Sequence, residues 1–131
     1  MKKAVRRLPD SELEIMKVLW KTEHPMTSTE ISDQLQNGKE WKITSVLTFL
    51  SRLAEKRFVS FEKSGRTNLY SALIKEQDYL QQESKTILEK LYGNSLTAFV
   101  SSLFDGRAVG EKDLDELRRY LDERTTGGKE E

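Results

Sequence analysis

Apolar positions along the chain recur at helical spacing in several segments and alternate in only one. In "PDSELEIMKVLWKTE", Leu13, Met16, Leu19 and Trp20 share a face, and Ser11 with Glu14 is spaced for the reciprocal bonds of a capping box. This predicts a first helix over Asp10 to Thr22. "HPMTSTEISDQLQNG" then reads as a short second helix: Pro25 breaks the chain, Thr27 and Glu30 form another box, Ile31 and Leu35 lie at i, i+4, and Asn37-Gly38 supplies a stop. From Ile43 to about Lys56 a third helix has Val46, Leu47, Phe49, Leu50, Leu53 and Ala54 in one sector and Thr44, Ser45, Thr48, Ser51, Arg52, Glu55 and Lys56 in the other.

The period then changes. "FVSFEK" and "TNLYSAL" are rich in aromatic and β-branched residues, and "SGR" between them offers Gly65 for a positive φ, so two strands joined by a tight turn are expected. Past Ile74 the helical spacing returns with Leu80, Ser84, Ile87, Leu88 and Leu91 up to Gly93. Leu96, Phe99, Val100, Leu103 and Phe104 follow up to Gly106, then Leu114, Leu117 and Leu121. The closing "TTGGKEE" is expected to fray. Three helices and a β-hairpin, then more helices, is the order of a mainly α protein: a winged helix-turn-helix head over residues 1–74 followed by a helical C-terminal domain over 75–131.

Composition narrows what such a protein does. At 131 residues there is room for one core and an appendage. Lys and Arg total 22 and so do Asp and Glu, but residues 1–66 hold thirteen basic and nine acidic side chains and residues 67–131 the reverse, so a polyanion would engage the first half. There is no cysteine and a single histidine, His24, beside Pro25 in a loop; no metal site and no cofactor are expected. The basic "MKKAVRRLPD" is not followed by an apolar run, and 18 apolar residues never run together, so a cytoplasmic protein is expected. The charged "EKDLDELRRYLDER" reads as a solvated helix face with i, i+4 pairs. No phosphate-binding glycine loop and no pair of carboxylates set in a pocket is evident, so an enzyme is not expected. Trp20 and Trp41 sit beside apolar-periodic residues and read as packing, Trp41 alternatively as the start of the third helix.

The polar sector of the third helix is of an unusual kind. Helices that need only solubility favour Glu and Lys, whereas Ser and Thr each cost a few tenths of a kcal/mol in propensity. Short hydroxyls allow a helix to approach the major groove, bond phosphates or base edges, and offer a threonine methyl to thymine. Lys42, Thr44, Ser45, Thr48, Ser51, Arg52 and Lys56 are therefore the candidate DNA contacts, joined by Lys63 and Arg66 flanking the hairpin turn. The plainer readings are that Thr44 and Ser45 only cap the helix, that Arg52 pairs with Glu55, and that the hairpin cations are merely exposed. A winged-helix adaptor that binds protein is the alternative on this evidence. The tail stripes, Ile87, Leu88, Leu91, Leu96, Phe99, Val100, Leu103, Phe104, Leu114, Leu117 and Leu121, cannot offset the entropy of ordering three helices alone. They must cover either the N-terminal domain or a second copy of the chain; the wide stripes on Ile87, Leu91, Phe99 and Leu103 favour the second copy, which would set two heads on two half-sites of double-stranded DNA.

"SELEIMKVLW" (Glu12, Ile15, Met16, Trp20), "WKITSVLTFLSRLAEKRFV" (Trp41, Ser45, Val46, Thr48, Leu50, Arg52, Leu53, Lys56) and "SGRTNLYSALI" (Gly65, Arg66, Tyr70) together resemble the penicillinase-repressor (BlaI/MecI/CopY) family of transcriptional regulators, in register from about Leu8 to Leu121. The resemblance implies a winged-helix head, a helical dimerisation domain and repression from a palindromic operator. The family's third-helix threonines fall on Ser45 and Thr48, and its Arg-Leu pair on Arg52 and Leu53. In the β-lactam branch a membrane sensor protease relieves repression, and the bond cut there aligns with Ser102-Leu103. The copper branch binds metal through a Cys-X-Cys motif, which this chain lacks. Two departures stand out. A basic residue common in the family's recognition helix is Leu47 here, and the frequent glycine after that helix is Arg57, which implies a strained left-handed backbone.

Overall fold

The computed structural model describes residues 7–35 and 41–127. In order these form α1 (Asp10–Lys21), α2 (Ser28–Gln34), α3 (Ile43–Glu55), β1 (Val59–Ser64), β2 (Thr67–Ala72), α4 (Glu76–Tyr92), α5 (Leu96–Asp105) and α6 (Glu111–Gly127). The fold is mainly helical, a three-helix head with a β-hairpin wing followed by three helices, and the chain divides into two compact units between Ser84 and Lys85.

In the first unit, Ile15, Met16 and Leu19 of α1, Ile31 of α2, Val46, Leu50 and Leu53 of α3, and Phe58, Val59 and Tyr70 of the hairpin form one buried cluster. The inward stripe of α1 is rotated from the expected one. Leu13 and Trp20 are only half-buried, while Glu12 joins Ile15, Met16 and Leu19 at i, i+3, i+4, i+7 and is 2 % exposed. The start of α1 also departs from expectation: Pro9 is its N-cap, with no side-chain cap bond, so Ser11 lies inside the first turn and the Ser11/Glu14 box is not made. Proline suits a helix start because its missing N–H removes no helical bond. The second box forms as expected, Thr27 N–H donating to Glu30 Oε1 at 2.9 Å and Glu30 N–H to Thr27 Oγ1 at 3.1 Å. The expected stop at Asn37-Gly38 lies outside the described residues.

The hairpin pairs Val59 with Ala72 through Ser64 with Thr67, leaving Gly65 (φ +63°) and Arg66 as a two-residue loop. An isolated bridge adds Met26: its N–H donates to the Tyr70 carbonyl (3.0 Å), and its carbonyl accepts the Tyr70 N–H in return (2.7 Å). The wing is thereby tied to the segment ahead of α2. Residues after Ile74 also belong to this core. Tyr79 is buried, packs edge-on against Phe58 and at a tilt against Trp20, and its hydroxyl accepts the buried Leu8 N–H at 3.0 Å; Trp20 Nε1 donates to the Ile74 carbonyl at 2.8 Å.

The second unit contains the end of α4 with α5 and α6. Gly93 and Asn94 both adopt positive φ where α4 stops. At the end of α5 the left-handed residue is Arg107 (φ +64°) and not Gly106, the C-cap, where a Cβ would stand 3.1 Å from the Ser102 carbonyl oxygen. Tyr92 lies against Phe99 (5.2 Å between centroids) and its hydroxyl donates to Ser102 Oγ at 3.2 Å. Among the described residues of this unit no side chain is fully buried. Ile87, Leu88, Phe99, Val100, Leu103 and Leu114 are half-covered, and Leu91, Leu96, Phe104, Leu117 and Leu121 are exposed, Leu91 to 69 %. On α6, Arg118 pairs with Asp115 at i, i+3 (2.8 Å), and Arg124 lies over the Tyr120 ring at i, i+4. "TTG" is helical to Gly127; the rest of the expected frayed end lies outside the described residues.

Candidate nucleic-acid interface

α3 is held by three residues at i, i+4, i+7, Val46, Leu50 and Leu53, none of which is exposed. The remaining positions turn outward in consequence. Lys42, the N-cap, and Thr44, Thr48, Ser51 and Arg52 are exposed, and Ser45 is half-buried at the edge. The helix has no side-chain cap bond, so the reading of Thr44 and Ser45 as its cap does not hold. Thr48 Oγ1 donates to the Thr44 carbonyl at 3.0 Å, committing its one proton and leaving an acceptor oxygen and a methyl. The Arg52 guanidinium sits 5.9 Å from the Phe49 ring centroid and pairs with no carboxylate among the described residues. An aromatic plane holds a guanidinium without consuming its hydrogen-bond donors.

Two residues of this helix behave otherwise than their sector suggests. Leu47, expected inside, is 43 % exposed, because full burial centres on Val46, Leu50 and Leu53, with Phe49 and Ala54 half-covered beside them, and Leu47 falls at the margin of the half-cylinder that six apolar residues span. It lies one turn from Thr44 and one turn from Ser51, within the hydroxyl row. Lys56, expected outside, turns back so that Nζ donates to Glu12 Oε1 at 2.5 Å, with its side chain 19 % exposed. That pair links α1 to the end of α3 and gives Lys56 a structural task. Sequence reasoning missed Glu12 because polar residues were passed over in tracing the stripe; its spacing with Ile15, Met16 and Leu19 was the available signal.

Immediately after α3, Arg57 has φ +67°, the left-handed position that the family resemblance implies, and its N–H donates to the Ala54 carbonyl while Phe58 N–H donates to that of Leu53. The wing carries Lys63 opposite Asn68 and Arg66 in the loop, both exposed, with Thr67 Oγ1 donating to the Ser64 carbonyl at 3.1 Å. Trp41 packs edge-on to Phe49 ahead of α3. His24 Nδ1 lies 3.0 Å from the Pro25 carbonyl oxygen on the surface. No group of three or more potential metal ligands occurs among the described residues, and no helix is long and apolar enough to cross a membrane. Ser102 and Leu103 fall within α5, the first exposed and the second half-buried.

Residues 8–123 match the family model described as penicillinase repressor. The chain is 29 % identical over 128 residues to the penicillinase repressor of Bacillus licheniformis, covering 98 % of this chain and 99 % of that one. It is 23 % identical over 117 residues to the methicillin resistance regulatory protein MecI of Staphylococcus aureus strain N315, covering 89 % and 94 % respectively. Among solved structures, the DNA-binding domain of the repressor BlaI aligns with a TM-score of 0.50 at 35 % identity, over 60 % of this chain and 94 % of that domain.

Proposed function

Because the chain belongs to the penicillinase repressor family, we propose that this DNA-binding transcriptional repressor acts in the cytoplasm as a homodimer on a palindromic operator, and that cleavage within its tail releases it. It is not an enzyme. The observation that carries the DNA-binding part is the division of α3 into a fully buried face, Val46, Leu50 and Leu53, and an outward row of Thr44, Thr48, Ser51 and Arg52, the last with no carboxylate partner among the described residues. Such a row enters a major groove; Lys42 at its start, Ser45 at its edge and Lys63 with Arg66 on the wing are placed to meet phosphates or the adjacent minor groove.

Dimerisation is supported by the second unit, where Leu91, Leu96, Phe104, Leu117 and Leu121 remain in contact with water in a single chain. Two heads joined by such a tail bind two half-sites about one helical turn or a multiple apart, and the linkage supplies the affinity one head lacks. Release by a membrane sensor protease, as the family resemblance implies, would act at Ser102-Leu103. Because that bond is helical, α5 must unwind locally to present it, and unwinding removes Val100, Leu103 and Phe104 from the same apolar stripe.

The test is a gel shift of the full chain on its own upstream DNA over a range of salt. Arg52→Ala and Thr48→Ala are expected to weaken the complex together, and log K should fall steeply with log[salt]. A flat salt dependence, or shifts unchanged by both substitutions, would overturn DNA as the ligand of α3.

A further inference from the structure

Leu47, assigned by the sequence pattern to the apolar sector, sits within the outward hydroxyl row of α3. It is 43 % exposed, Thr44 precedes it by one turn, Thr48 adjoins it and Ser51 follows by one turn. An apolar side chain there gains nothing from water and is not a member of the buried cluster. Thr48 has given its hydroxyl proton to the Thr44 backbone carbonyl, so what it can still turn outward is an acceptor oxygen and a methyl group. The centre of the outward face is thus a small apolar patch bounded by hydroxyls, with Lys42 at one end and Arg52 at the other.

Resting on the reading of α3 as the DNA-contacting helix, we propose that Leu47 is a specificity-determining residue, which selects thymine by packing on its 5-methyl group in the major groove. That methyl is the one apolar feature any base pair displays there, and it distinguishes T·A from A·T and from both G·C orientations. A protein ligand fits the patch less well. Leu47 with Ile43 one turn before it (41 % exposed) is still far smaller than the contiguous apolar area that marks a protein-binding surface, and cations at both ends of the row favour a polyanion. A side chain without hydrogen-bonding groups also makes no bond to be mispaired, so discrimination rests on the methyl contact and is modest at each base.

The experiment begins with duplexes that the full-length chain selects from a randomised pool. In a selected duplex, thymines are replaced singly by deoxyuridine, which removes the methyl and leaves every hydrogen-bonding group in place. One position per half-site should weaken binding by about fourfold, the equivalent of one buried methyl. The same replacement should change nothing for Leu47→Ala, whose own affinity for the thymine duplex falls to a similar level. In a fresh selection, Leu47→Arg should exchange thymine at that position for guanine, the base whose O6 and N7 an arginine grips. Leu47 lies outside the core, so these variants keep the fold, and thermal unfolding of each verifies it. If the chain selects and binds DNA but deoxyuridine is tolerated everywhere, or weakens wild type and Leu47→Ala alike, the thymine contact is wrong while the DNA reading stands. If no duplex is enriched and the Leu47 face captures protein instead, both fall.

Discussion

The buried pair of Glu12 and Lys56 makes an asymmetric prediction. Glu12 is 2 % exposed and its partner 19 %, measured on the side chains. Replacing Lys56 by Met keeps the aliphatic stem that lies against the core but strands a carboxylate with no route to water. Removing one partner of a buried pair costs 3–5 kcal/mol in general, and the partial exposure of the site argues for about 3 kcal/mol here. Glu12→Gln leaves an ammonium on a long flexible stem, which reaches solvent by a small rotation, at a cost of about 1 kcal/mol. The double change Glu12→Leu with Lys56→Met removes both charges, and its stability should return to within about 1 kcal/mol of wild type. Both tryptophans of the chain, Trp20 and Trp41, lie in the first unit, so their fluorescence during urea unfolding reports that unit and not the tail. For a unit this small the slope is about 1 kcal/mol per molar urea, so Lys56→Met should lower the midpoint by ~2–3 M. A Lys56→Met variant no less stable than Glu12→Gln would refute the reasoning, as would a double variant as weak as the worse single.

Arg57→Gly should raise stability by about 1 kcal/mol in the same urea assay, since φ +67° costs a side chain and not glycine; an unchanged or lower midpoint would contradict it. Thr27→Ala removes the cap of α2 and should cost ~1 kcal/mol, while Ser11→Ala, outside any cap, should cost less than half as much. Leu96→Glu, on the uncovered stripe of α5, is expected to convert the proposed dimer to monomers in sedimentation at micromolar concentration and to abolish tight operator binding while leaving tryptophan fluorescence unchanged. A dimer that persists would place the interface elsewhere.

What the sequence made legible were features whose cause is local. The start and end of α3, the Thr27/Glu30 box and the Gly65 turn follow from spacing or from the backbone demands of one residue, whereas the strained Arg57 is legible only through the family resemblance. What escaped it has causes far along the chain. Glu12 reads as surface until Lys56 is brought to it from 44 residues away. Leu47 reads as core until the helix is docked, when Val46, Leu50 and Leu53 are buried, Phe49 and Ala54 are half-covered beside them, and Leu47 is left at the outer margin of the sector. The single bridge of Met26 to Tyr70 is too short to leave a period in the sequence. Tyr79 belongs to the head although it stands on a helix that the pattern assigns wholly to the tail, because it is the placement of Phe58 and Trp20 that makes room for its ring.

The bond from Leu8 N–H to the Tyr79 hydroxyl spans 71 residues and closes the head at its two extremes. A ribosome delivers this chain amino-terminus first, so the three helices and the wing emerge before the residue that fastens them. Until Tyr79 leaves the exit tunnel, Phe58 and Trp20 lack a ring that covers them, and the nascent head is open to chaperones and proteases. Synthesis must therefore run past the wing and into α4 before a finished repressor head exists at all.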